Sequence, residues 1–157
     1  MKIALVQTGK TTEKHIAEIA GLYLSRIRKY IVFEIITLPD IKNSGNLPVQ
    51  EHKIREGKKI LQSVNSDDFI VLLDEKGKEF RTVDFSGWIE KTFMLSRKRI
   101  VFIIGGAWGF SDEVYERADF MISLSKMTFP HQLVRLLFLE QLYRVFTIIR
   151  GEQYHHE

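Results

Sequence analysis

The chain has 157 residues, 45% apolar and 27% charged, a composition and length suited to one compact domain with a sizeable core. It carries no cysteine, which excludes disulfides, iron–sulfur ligation and thiolate zinc sites, and no apolar run long enough to span a membrane. Twenty-three basic residues against 20 acidic ones leave a net charge of +3, compatible with an anionic partner such as RNA without demonstrating one. The N-terminus, MKIALVQTGK, lacks the architecture of a signal peptide, so a cytoplasmic location is expected. Five histidines, at 15, 52, 131, 155 and 156, show no metal-hydrolase spacing, and no metal site is expected.

Taken in chain order, Lys2–Thr8 reads as a first strand stopped by Gly9. From Thr12 to Tyr30, Ile16, Ile19, Ala20, Tyr23, Leu24 and Ile27 recur at helical spacing, with Thr11 or Thr12 placed to cap. Ile31–Leu38 predicts a second strand, and Ile41–Pro48 a loop. A strongly charged helix follows from about Val49 to Val64, its few apolar residues (Ile54, Ile60, Leu61, Val64) marking one face against the body. Phe69–Leu73, bounded by acidic pairs, has the continuous apolar character of a central strand, with a turn expected around Gly77. A helix over Asp84–Ser96 leads to a second central strand, Arg99–Ile104, which ends in Gly105-Gly106-Ala107-Trp108-Gly109. Ser111 or Asp112 caps a short helix reaching Ala118, Phe120–Leu124 forms a fifth strand, and Pro130–Arg150 is a long helix with Gly151 just past its end. Alternation of strands and helices predicts an α/β fold, a mostly parallel sheet with helices on both faces, in a single domain spanning 1–157.

The last helix has an unusually wide apolar face: Glu140, Gln141, Arg144 and Thr147 occupy only roughly a third of its circumference, less than a surface helix over one sheet needs. Either it is buried in the middle of the domain or it packs on the sheet and on another subunit. The small size of the chain favours the second, a homodimer.

Four segments carry candidate chemistry. Ala4-x-x-x-x-Gly9-Lys10-Thr11, with the apolar strand ending at Asp74, approaches a phosphate-loop nucleotide-binding pattern. Ala4, however, lies inside the first strand and lacks the backbone freedom of the glycine that belongs there, so a strand-to-helix turn is the better reading. The Gly105–Gly109 turn has the wrong glycine spacing and place for a dinucleotide fingerprint; at a strand's carboxyl end, where open α/β sheets bind ligands, it is either a structural turn alone or a ligand loop. Ser123–Gln132 mixes small polar residues with Met127 and Phe129; it either caps the last helix or wraps a cofactor. The tail, Arg150–Glu157, is either a frayed terminus or, through Tyr154, His155 and Arg150, equipped to touch an RNA loop.

Gly9-Lys10, Leu73, Ile103-Ile104-Gly105-Gly106-x-x-Gly109, Ser125-Lys126-Met127-Thr128-Phe129-Pro130-His131-Gln132, Glu140-Gln141-x-Tyr143-Arg144 and Arg150-Gly151-x-x-Tyr154-His155 together resemble the RlmH family of small SPOUT-class methyltransferases, over nearly the whole chain. The resemblance implies a SPOUT-type α/β domain with a C-terminal trefoil knot, a homodimer, and methylation of N3 of a pseudouridine in a stem-loop of 23S ribosomal RNA, with S-adenosylmethionine (SAM) as cofactor. It places the cofactor against Leu73, Gly105, Leu124, Ser125, Lys126, Met127, Thr128 and Phe129. Catalysis falls to Arg144, Arg150, Tyr154 and His155: cationic groups for the anion that develops on the base, and Tyr154 to stack on or orient it. The assembled ribosome or large subunit is the expected substrate, because a net charge of +3 is little for tight binding to naked RNA. Members of the family it resembles often carry a basic residue directly after Tyr-His, whereas this chain has His156-Glu157. The alternatives are a phosphate-loop-like nucleotide-binding protein and a dimeric RNA-binding or ribosome-assembly module without catalysis.

Overall fold

The computed structural model describes residues 1–156; Glu157, part of the divergent tail, lies outside them. Ten main elements follow one another: β1 (Lys2–Thr8), α1 (Lys14–Ile27), β2 (Phe33–Leu38), α2 (Val49–Gln62), β3 (Asp68–Glu79), α3 (Thr82–Phe93), β4 (Arg99–Ile104), α4 (Asp112–Arg117), β5 (Phe120–Ser123) and α5 (His131–Ile149), with a single 3-10 turn at Ser44–Asn46 before α2. The five strands form one parallel sheet in the order β2-β1-β4-β3-β5.

Alternate residues of each strand face opposite sides, and both sides are covered. Ile3, Leu5, Val71, Ile100, Phe102 and Ile104 point to one cluster, which Ile27 of α1, Phe85 and Ile89 of α3, and Phe138, Leu139 and Leu142 of α5 complete. Ala4, Val6, Ile70, Leu72, Val101 and Ile103 point to the other, closed by Ile60 of α2 and by Phe110 and Val114 at α4. Three helices therefore cover one face and two the other. On the first face α5 lies between α1 and α3, packing on both. That position buries Arg135, Phe138, Leu139, Leu142, Val145, Phe146 and Thr147 within the chain and accounts for much of the breadth of its apolar face.

Several local expectations are refined. The turn expected at Gly77 is a bulge within β3: Leu73 and Lys78 both pair with Ile122, so Asp74–Gly77 leave the ladder. Glycine is required there by close approach, because a Cβ on Gly77 would lie 2.5 Å from the carbonyl carbon of Ile122. Neither Thr11 nor Thr12 caps α1; Glu13 holds the cap position without a side-chain bond. The orphan N–H groups of Thr12 and Glu13 instead donate to Oε1 of Gln132 at 3.0 Å each, a cap supplied by α5. Pro130 occupies the cap position of α5, and Gly151 ends that helix at φ +67°, a conformation open to glycine at little cost.

Candidate active site

The carboxyl ends of β4, β3 and β5 open onto one cavity of about 510 Å³, a volume in the range that encloses a drug-sized ligand. Three segments wall it: Leu73–Lys76 from the β3 bulge, Ile104–Phe110 after β4, and Leu124–Phe129 after β5, with His131 and Val134 of α5 at the back. The glycine turn and the segment after β5 thus share one site. Of the residues expected to hold a cofactor, Leu73, Gly105, Leu124, Ser125, Met127, Thr128 and Phe129 line this cavity. Lys126 is not among its walls; its ammonium group is 3.8 Å from Oε2 of Glu79, and its side chain is exposed. Ser125 shapes its own segment, its Oγ accepting the N–H of Met127 at 3.0 Å while its carbonyl accepts the hydroxyl of Ser123.

Two carboxylates support the cavity in roles that the motifs do not give them. Glu56, only 4% exposed on α2, accepts the N–H of Gly106 through Oε1 at 2.8 Å. A Cβ on Gly106 would fall 2.6 Å from the same carboxylate, and one on neighbouring Gly57 would strike the Ser111 hydroxyl at 2.3 Å. The signal available in sequence was Gly57 itself, a mid-helix glycine among lysines, which marks close packing in an otherwise solvated helix. The second support is Asp74: Tyr115 donates to its Oδ2 at 2.5 Å, and the N–H of Lys76 to its Oδ1 at 2.8 Å. Burial, the hydrogen bond and the charge of Asp74 together raise the Tyr115 phenol above its ordinary range, so it stays a donor.

Arg135 is a third residue that periodicity concealed. It is 3% exposed, donates to the Thr11 hydroxyl at 3.0 Å and the Thr8 carbonyl at 2.5 Å, and burial lowers its pKa despite the charge of Asp40. With Gln132 it fastens the Gly9–Glu13 turn to α5. Gly9, at φ +73°, has the Asp40 carboxylate where a Cβ would sit, 2.6 Å away. A carboxylate against that turn is the wrong charge for a phosphate cradle, which removes the nucleotide-binding reading of Gly9-Lys10.

The expected catalytic residues gather elsewhere. The guanidinium of Arg144 bonds to Oε1 of Glu140 through both Nε and Nη2 and lies 4.8 Å from the ring centroid of Tyr154. The Tyr154 hydroxyl donates to Glu140 at 3.3 Å and meets the Tyr23 hydroxyl at 3.4 Å, and its ring stands edge-on to Tyr143. The Tyr23 hydrogen bond, burial and the Glu140 charge push the Tyr154 phenol up to about 12, against the opposing pull of Arg144. Both ring nitrogens of His155 are buried without a partner among the described residues, while Arg150 is exposed. Arg144 lies ten residues beyond Val134, about 15 Å along the helix, so the tail cluster stands away from the cavity of the same chain. Among the described residues there is no group of three or more metal-ligating side chains, and no helix is long and apolar enough to cross a membrane.

A family model described as "Predicted SPOUT methyltransferase" matches residues 1–155. The ribosomal RNA large subunit methyltransferase H of Christiangramia forsetii is 51% identical over 99% of both chains.

The chain belongs to the RlmH family of SPOUT methyltransferases.

Similar family members include the proteins of the same name from Parabacteroides distasonis, 49% identical, and Phocaeicola vulgatus, 47% identical, each over the full length of both chains. Among solved structures, a Legionella pneumophila protein determined with bound SAM superposes on 92% of this chain and 66% of its own, with a TM-score of 0.48 at 13% identity. That likeness is too slight to bear on the site. The shared lineage of this SPOUT chain rests on the sequence matches.

Proposed function

We propose that this protein is a SAM-dependent methyltransferase that modifies N3 of a pseudouridine in a stem-loop of 23S ribosomal RNA, acting as a cytoplasmic homodimer on the assembled ribosome or large subunit. The observation that carries this reading is the single cavity built by the strand-end segments 73–76, 104–110 and 124–129, in a chain whose relatives are named for methylation of large-subunit ribosomal RNA. The cavity suits the cofactor chemically: Leu124, Met127, Phe129 and Val134 offer apolar surface, while Gly105, Gly106 and Gly109 in its wall carry no side chain to keep a ligand from the backbone.

SAM supplies an electrophilic methyl group on a sulfonium. The protein's task is then placement of N3 in line with that methyl group, and relief of the charge that develops as the N3 proton leaves. Arg144 and Arg150 supply positive charge for the ring oxygens. Tyr154, held under the Arg144 guanidinium, orients the base, and His155 accepts a hydrogen bond or the proton. Because the tail cluster of one protomer stands away from its own cavity, these groups serve the cavity of a second copy.

The C-terminal trefoil knot belongs to the same reading. The edge strand β5 lies beside β3, whereas α5 packs between α1 and α3 behind β4. The chain leaving β5 must therefore cross the strand ends past the glycine turn, a path that supports threading there.

Incubation with methyl-labelled SAM and ribosomes from a strain lacking this activity, followed by mass spectrometry of digested 23S RNA, tests the proposal. One methyl group on a pseudouridine is the expected product. No transfer, or transfer to unmodified uridine in preference to pseudouridine, contradicts it.

A further inference from the structure

Trp108 and Met127 stand out from the other large apolar side chains at the cavity in being exposed. The chain's second tryptophan, Trp88, is packed among Phe69, Phe80, Phe85 and Phe120, with centroid separations of 5.0–6.3 Å. Trp108 is 55% exposed, yet it lines the cavity from the tip of the glycine turn. Gly105, Gly106 and Gly109 around it have no side chains to cover the indole. On the segment after β5, Met127 is 74% exposed and lines the same cavity. Leaving an indole in water forfeits burial that this residue type ordinarily achieves. Its position therefore suits a flat apolar partner that arrives from solution.

We infer that Trp108 is the stacking platform for the target base of the RNA, which lies between the indole and Met127 at the mouth of the cavity. The inference rests on the proposed methyl transfer to RNA and deepens it. A base cannot present N3 to a methyl donor in a cavity while it is paired in a stem. It must leave its stack, and aromatic side chains take over the lost stacking. Lys53 and Lys76 line the same mouth and can meet phosphates flanking the extruded nucleotide, whereas Asp74, Glu75 and Asp112 lie among the walls and are suited to N–H donors rather than to phosphate. An uncharged base at the centre with its backbone at the lysines fits this distribution. The assigned contact is to the RNA base and not to the adenine of the cofactor.

The test uses the full-length protein with Trp108→Ala and Trp108→Phe. SAM affinity is read by calorimetry, the KM for unmodified ribosomes by methyl incorporation, and the oligomeric state by sedimentation. Trp108→Ala is expected to raise the ribosome KM about tenfold or more, to leave SAM affinity within about twofold, and to leave sedimentation unchanged; Trp108→Phe recovers most of the loss. A parallel fall in SAM affinity would put adenine on the indole and overturn the assignment. So would an unchanged KM, or a shift in sedimentation that moves the indole into a protein interface. Failure of the wild-type protein to methylate ribosomes would instead remove the methyltransferase reading, and this inference with it.

Discussion

Glu56 of α2 accepts the backbone N–H of Gly106 at 2.8 Å, so a helix on one face of the sheet holds the loop at the carboxyl end of its central strand. The bond is part-buried, and its loss would leave a peptide N–H without this partner beside a gap. Glu56→Ala is expected to cost about 1–3 kcal/mol of stability and to weaken SAM binding. Glu56→Gln, which keeps the acceptor oxygen, restores most of both. Thermal unfolding and calorimetry on the two variants check this; equal SAM affinity in all three proteins would show that the loop does not need the bond.

Gly77 is bounded by the backbone of Met121 and Ile122, with 2.5–2.7 Å available to a Cβ. Backbone cannot rotate aside as a side chain can, so Gly77→Ala must displace β5 from β3. The expected cost is about 1–3 kcal/mol, or about 2–4 °C of Tm for each kcal/mol in a chain of this size. Calorimetric scanning would show it. Because the same bulge carries Asp74–Lys76 into the cavity, the variant should also bind SAM more weakly.

At the opposite end of the sheet, Asp68 receives Nε and Nη2 of Arg99 at 3.0 and 2.6 Å and the N–H of Asn65 at 2.8 Å. Burial alone would raise its pKa, but these hydrogen bonds and the charges of Arg99 and Arg117 outweigh it and hold the carboxyl below its ordinary range. The stability it lends is therefore complete above the unfolded value of about 3.9 and is lost as the pH falls through the lower folded value. Asp68→Asn should destabilise the protein by about 1.5–3 kcal/mol near neutrality, with the gap to wild type closing below about pH 4. Denaturant titrations at several pH values would reveal that convergence, and a gap independent of pH would contradict it.

Removal of residues after Gly151 takes away Tyr154 and His155 but no cavity wall. Methyl transfer should fall by about a hundredfold or more, with SAM affinity retained. Mixing this truncation with a full-length chain whose cavity is blocked at Gly105 should restore activity if each tail serves the other protomer's cavity. No restoration, in mixtures shown to exchange subunits, would argue for a tail that acts within its own chain.

The order and type of the elements could be read from residue patterning because each strand's apolar run and each helix's period are local signals. Three glycines in five residues marked a sharp turn at a strand's carboxyl end, open to a structural or a ligand-binding role, and only the resemblance to the family joined it with the segment after β5 into one cofactor site. What patterning missed depends on distant partners. Gly77 resembles a turn until β5 is seen to press on it. Nothing local marks Glu56 and Arg135, because the groups they satisfy lie 50 and more than 120 residues away. The breadth of the α5 apolar face pointed toward a second subunit, yet α1 and α3 on either side account for much of it. The homodimer therefore rests more on the separation of tail from cavity than on that helix.

Co-crystallisation with SAM examines the central claim most directly. Continuous density for the cofactor between the Gly105–Gly109 turn and the Leu124–Phe129 segment, beside Leu73, is the predicted result. Cofactor bound at any other surface, or a protein that takes up none at millimolar SAM, would contradict it.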